Sequence, residues 1–148
     1  MAQLKVFVSG KFSEKAFIRE KMDELEELGC RITHDWATYE ASSNDMQQKQ
    51  LMATFDIEGV KKCDIHIVII TDKDYVYRGT FCELGCSLGL DKQVMLLNLV
   101  GENAAMAVPF YYHPNVKHFT SWNEILAALE GIRSRVEYNS KILSFMYC

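Results

Sequence analysis

Apolar and polar positions follow two alternating rhythms along this chain. Residues 4–8, Leu-Lys-Val-Phe-Val, read as a strand that stops at Ser9-Gly10. Phe17, Ile18, Met22, Leu25 and Leu28 then recur at helical spacing, which predicts a helix over 14–28 with Ser13 as its cap and Gly29 as its stop. A short strand over 31–34 and a polar loop over 36–43 follow. Ser43 or Asn44 is expected to start a helix reaching about Lys62, with Met46, Met52, Phe55, Ile57 and Val60 among its apolar positions. Residues 64–71 carry the strongest strand signal, a β-branched run broken only by His66, as in strands buried on both faces of a parallel sheet. After a charged, aromatic loop, Thr80 opens a helix to about Leu90, and 93–99 form a fourth strand. Residues 101–114 are irregular, with Pro109 and Pro114 fixing the backbone locally. A fifth strand spans 116–119, and Ser121 caps a last helix near 122–132. The segment 133–148 reads either as a further helix or as an arm exchanged with another copy.

Strands alternating with helices predict an α/β fold: one domain over 1–132 and a tail over 133–148. The sheet is expected to be open, five-stranded, mostly parallel and covered by helices on both faces, in the Rossmann or flavodoxin manner. In such sheets ligands bind beyond the carboxyl ends of the strands. The loops 9–13, 35–43 and 72–80 should converge there.

Composition narrows the function classes. The 148 residues are 49% apolar and 24% charged, with a net charge of −4, which suits a globular domain and argues against a large duplex-DNA footprint. No stretch resembles a signal peptide or a bilayer span, so a soluble, cytoplasmic protein is expected. The cysteines at 30, 63, 82, 86 and 148 include no CxxC pair and read as buried small hydrophobes in a reducing compartment. Cys82 and Cys86 share a helical face but lack a second ligand pair, and His34, His66, His113 and His118 are not spaced as zinc ligands. No metal or cofactor is expected. His66 reads as a hydrogen-bonded core histidine.

Several residues could carry chemistry. Ser9, Gly10, Lys11 and Phe12 form the turn after the first strand, where a helix N-terminus and Lys11 would attract an anion. Neither GxGxxG nor GxxxxGK is present, and a plain turn fits as well. Glu83 lies in Arg78-Gly79-Thr80-Phe81-Cys82-Glu83-Leu84-Gly85. It is either a catalytic carboxylate or the acidic half of a capping box, because Thr80-x-x-Glu83 has that spacing. Ser121-x-x-Glu124 has it too, and reads as a cap. Asp56, by position alone, is a solvated helical aspartate. Trp36 could stack on a nucleobase with Asp35 accepting from an exocyclic amine, or could simply cover the sheet edge.

Taken together, these pieces resemble the nucleoside 2-deoxyribosyltransferase superfamily over about residues 4–129. The first strand ends in Ser9-Gly10. Asp56 stands eight residues before Asp64, which opens the hydrophobic strand. The Gly79 to Gly85 block carries Glu-Leu-Gly, and a Leu88-Gly89 helix exit runs into Val94. The resemblance implies that Glu83 acts at the anomeric carbon of a sugar and that Asp56 helps protonate the departing base. It also implies a homodimer or higher oligomer, with Asn115 reaching a neighbouring subunit's site. The sequence departs from the pattern at Phe7, where many relatives have a tyrosine, and at Tyr77 or Arg78, where transferases have an aspartate. Arg78 suggests a phosphate or other anion on the substrate. No clear match exists around Ala104 for the serine that the monophosphate branch takes from a neighbour.

The implied reaction is cleavage or transfer of the N-glycosidic bond of a nucleoside or its 5′-monophosphate. A carboxylate answers positive charge on the sugar, and a proton donor answers negative charge on the base. A Toll/interleukin-receptor-like NAD glycohydrolase and a nucleotide sensor without chemistry share parts of this pattern.

Overall fold

The computed structural model describes residues 3–40 and 45–147. Five strands, β1 (Lys5–Ser9), β2 (Arg31–Ile32), β3 (Ile65–Ile70), β4 (Gln93–Asn98) and β5 (Val116–Phe119), form one sheet in the order β2-β1-β3-β4-β5. Every pairing is parallel. The helices are α1 (Lys15–Glu27), α2 (Met46–Lys62), α3 (Arg78–Gly89) and α4 (Trp122–Met146). The chain is thus a single α/β domain with a central parallel sheet.

Alternation along the strands divides the core into two layers. Ile67, Ile69, Met95 and Leu97 pack with Ile18, Met22 and Leu25 of α1 and Ile125 and Leu129 of α4. Each such side chain contributes about 1.5–3 kcal/mol on leaving water. On the other face, Val68, Ile70, Val94 and Leu96 pack with Leu84 of α3. Phe7 and His66 pair in register on this second face. There α2 closes down at Gly59, where a Cβ would stand 2.8 Å from His34 Cβ and 2.9 Å from Phe7.

Gly29 ends α1 with φ +97°, a conformation that glycine adopts without strain. Other local expectations shift. Ser13 does not cap α1: Phe12–Glu14 form a 3-10 turn, and Glu14 takes the capping position with no side-chain cap bond. The Glu14 carboxylate instead accepts from the Thr71 hydroxyl. The second strand is only Arg31–Ile32, with one more backbone bond from Thr33 N to Val6 O at 3.0 Å; beyond it the Thr33 hydroxyl donates to the Gly59 carbonyl at 2.7 Å and His34 pairs with the Tyr39 hydroxyl at 2.6 Å. Asp45 caps α2 by accepting from Gln47 N at 3.0 Å, while Ser43 and Asn44 lie outside the described residues. Met46 and Phe55 are exposed, so only the last turns of α2 reach the core. Helix α4 runs unbroken past residue 132 to Met146. Cys30 and Cys63 are buried as expected, but Cys86 is only half-buried and Cys82 is exposed because it faces outward on α3, while Cys148 lies outside the described residues. No helix among the described residues is long and apolar enough to cross a membrane.

Strand order reverses between β1 and β3: the chain leaves β1 toward β2 on one side and later continues from β3 toward β4 on the other. This opens a crevice at the carboxyl ends of β1 and β3.

Candidate active site

A cavity of about 120 Å³ occupies that crevice. Its walls come from the turn after β1 (Gly10, Phe12), the loop after β2 (Trp36, Tyr39), α2 (Met52, Asp56) and the loop into α3 (Tyr75, Tyr77, Gly79, Thr80, Glu83). A larger hollow of about 560 Å³ lies at the opposite, amino edge of the sheet. Its charged lining residues are Asp64, Lys117 and Arg135, and no side chain in it has a buried polar atom without a partner among the described residues.

The loop into α3 decides what Glu83 does. Tyr77 adopts a left-handed conformation, φ 52° and ψ 40°, uncommon for a residue with a side chain. Its hydroxyl accepts from Thr71 N at 2.9 Å and Asp72 N at 3.0 Å, which ties the loop back to the end of β3. The helix therefore starts at Arg78, and Thr80 lies buried inside its first turn. Glu83 is then a turn too deep to reach back to the helix start, and the capping-box reading fails. Its carboxylate accepts from the Ser9 hydroxyl at 2.8 Å. Burial, and then the charge of Asp56, push its pKa up to about 8, opposed by the Ser9 hydrogen bond.

Asp56 projects from α2 into the same cavity. Its Oδ1 is buried with no hydrogen-bond partner among the described residues. His34 Nε2 stands 3.5 Å from that oxygen but is engaged by Tyr39. Burial pushes the Asp56 pKa up to about 6 and that of Tyr39 to about 12. A buried carboxyl oxygen left unmatched is costly, and such groups concentrate where a ligand completes the bonding.

The other expected residues divide. Gly10, Phe12, Trp36 and Gly79 line the cavity. Trp36 stacks on Phe12 with ring centroids 6.1 Å apart, and its indole N–H donates to Val8 O at 2.6 Å. It both covers the sheet edge and offers a ring to the cavity. A Cβ on Gly10 would lie 2.5 Å from Ile18 Cδ1, so this glycine lets α1 close on the sheet. Lys11 is ion-paired with Asp72 at 2.6 Å. Asp35 does not line the cavity: it caps the 3-10 turn at Trp36–Thr38 and pairs with Arg19, so both oxygens are engaged within the protein. Arg78 is exposed at the first turn of α3 without an ion-pair partner among the described residues. Asn115 sits at the opposite edge, where its carbonyl accepts from Val94 N at 2.9 Å, remote from this chain's own cavity.

Sequence reasoning did not single out Met52, Tyr75, Tyr77 or Thr80 as lining residues. The aromatic loop 72–79 was the available signal for the two tyrosines. Among the described residues no group of three or more His, Cys, Asp or Glu could hold a metal ion.

The sequence model of the nucleoside 2-deoxyribosyltransferase family matches residues 6–144. No curated protein matches the chain. Among solved structures, a 2-deoxyribosyltransferase from the psychrotolerant bacterium Bacillus psychrosaccharolyticus is similar at 24% identity and TM-score 0.66, over 82% of this chain and 90% of that one. The CMP N-glycosidase BcmB of Clostridium botulinum is similar at 23% identity and TM-score 0.59, over 85% and 98%. These two likenesses establish the shared fold, and the match over residues 6–144 establishes the family: the chain belongs to the nucleoside 2-deoxyribosyltransferases, enzymes that cleave or transfer N-glycosidic bonds.

Proposed function

We propose that this enzyme breaks the N-glycosidic bond of a nucleoside or nucleoside 5′-monophosphate, with Glu83 acting at the anomeric carbon and Asp56 delivering a proton to the departing base. One observation carries the reading: two carboxyl groups with raised pKa values, one bearing an unmatched buried oxygen, line a single cavity walled by aromatic rings.

Breaking the bond leaves positive charge on the sugar and negative charge on the base. The Glu83 carboxylate stabilises the first, or forms a glycosyl ester that water or a second base then opens. Asp56 neutralises the second. Between about pH 6 and pH 8 the pair carries one proton. The higher pKa places that proton mainly on Glu83 at rest, and the reactive arrangement is the minor one, with the proton on Asp56 and the charge on Glu83. Trp36 and Phe12 offer flat apolar faces to a base or a sugar. Arg78, with the free N–H groups at the start of α3, suits a 5′-phosphate, whereas Lys11 is already paired with Asp72. Asn115 can serve only a neighbouring copy's cavity, which goes with a homo-oligomer. Sedimentation showing a fully active monomer would remove Asn115 from the mechanism.

The test is chromatographic. The protein is incubated with nucleosides, deoxynucleoside monophosphates and NAD, and free base is measured for wild type and Glu83→Ala. Base release from a nucleoside or monophosphate that disappears in the variant is expected. Release of nicotinamide alone would favour the NAD glycohydrolase reading, and binding without release would favour a sensor.

A further inference from the structure

Behind Glu83, a line of buried polar side chains runs into the sheet. The Ser9 hydroxyl that donates to Glu83 Oε1 at 2.8 Å also lies 2.6 Å from His66 Nε2. His66 Nδ1 in turn lies 2.7 Å from Ser87 Oγ. Ser9, His66 and Ser87 all have zero solvent exposure. An apolar residue would fill the centre of β3 at lower cost, since buried polar groups must find partners. Phe7 meets the imidazole edge-on with centroids 5.3 Å apart, so it braces His66 and offers no hydroxyl to Glu83. Ser9, two residues further along the same face of β1, supplies that hydroxyl instead.

The proton count in this line is constrained. Burial lowers the His66 pKa to about 3, so the ring is neutral and has one N–H and one lone pair. When the Ser9 hydrogen points at the Glu83 carboxylate, the Ser9 oxygen receives a hydrogen from His66 Nε2. His66 Nδ1 then accepts from the Ser87 hydroxyl. Ser87 and Glu83 are four residues apart on α3, so one helical face anchors both ends of the line.

We propose that His66 is a positioning residue: held by Ser87 as the Nε2–H tautomer, it aims the Ser9 hydroxyl at Glu83 and shifts the proton shared by the two carboxyl groups toward Asp56. The proposal rests on the functional reading of Glu83 above. The other titratable groups lining the cavity with Glu83 are Asp56 from α2, Tyr39 from the loop after β2, and Tyr75 and Tyr77 from the loop after β3. Neither lysine nor arginine is among the lining residues, so Ser9 is the one donor shown to reach this carboxylate among the described residues.

The tautomer is read directly on ¹⁵N-histidine-labelled protein by long-range ¹H–¹⁵N spectra, without substrate. At about pH 9, His66 is expected to carry its proton on Nε2, with a bare Nδ1 and no titration down to about pH 5. A proton on Nδ1, or a His66 that titrates in that range, would overturn the proposal. Kinetics give a second reading. Ser87→Ala is expected to lower kcat about ten-fold, with KM little changed and the alkaline limb of the pH profile moved upward. Ser87→Thr, which keeps the hydroxyl, is expected to restore both. Equal losses in Ser87→Ala and Ser87→Thr, or a lower kcat with an unmoved limb, would contradict the proposal. Base release that survives Glu83→Ala would overturn the functional reading, while the substrate-free tautomer still reports on the relay itself.

Discussion

The starts of α3 and α4 carry the same signature, Thr80-x-x-Glu83 and Ser121-x-x-Glu124, and use it differently. At α4, Ser121 Oγ accepts from Glu124 N at 3.2 Å, and the Glu124 carboxylate turns back to Thr120 N at 3.4 Å. That is a surface cap. At α3 the left-handed Tyr77 starts the helix earlier, buries Thr80 and turns Glu83 toward Ser9 and the cavity. A spacing pattern specifies a cap only if the helix begins where the pattern assumes, and the bonds that the Tyr77 hydroxyl accepts from Thr71 N and Asp72 N at the end of β3 set that beginning here.

The sharpest way to break the comparison is to remove each glutamate. Glu83→Ala is expected to lower base release at least about a thousand-fold, and Glu124→Ala to leave it unchanged. Asp56→Asn should follow, with a loss of about a hundred-fold that is smaller for substrates whose base leaves easily. The pH profile of kcat/KM should be bell-shaped. It falls below about pH 6, where both carboxyls are protonated, and above about pH 8, where both are ionised.

Stability should separate the two glutamates in the opposite sense. The Glu83 pKa is raised on folding, so the folded state binds the proton more tightly, and its contribution to stability is lost as pH rises from the ordinary carboxylate range through about 8. Glu83→Gln should therefore raise Tm at about pH 9, by a stabilisation on the order of 3 kcal/mol, and have little effect near pH 4. The smallest effect belongs to the surface cap. Ser121→Ala is expected to cost about 1 kcal/mol in chemical denaturation with unchanged activity.

The fold was legible in the sequence because periodicity reports burial directly: the unbroken run over β3 and the spacing of Ile18, Met22 and Leu25 need no distant information. The Asp56 and Glu83 pairing came from resemblance, since nothing local distinguishes Asp56 from a solvated helical aspartate. The roles of Ser9 and His66 were not legible beyond a turn residue and a satisfied core histidine. Their contact spans 57 positions of chain and exists only once β1 and β3 pair. The pairing of Asp35 was not legible either, because its partner Arg19 lies on the preceding helix.

The most direct measurement offers a small anion to the space that Glu83 leaves. Glu83→Ala is incubated with a nucleoside substrate, with and without azide, and both free base and sugar products are identified by mass spectrometry. If Glu83 acts at the anomeric carbon, the variant alone is inert, and azide restores base release with formation of a glycosyl azide. Base release by the variant at the wild-type rate, indifferent to azide, would contradict that role.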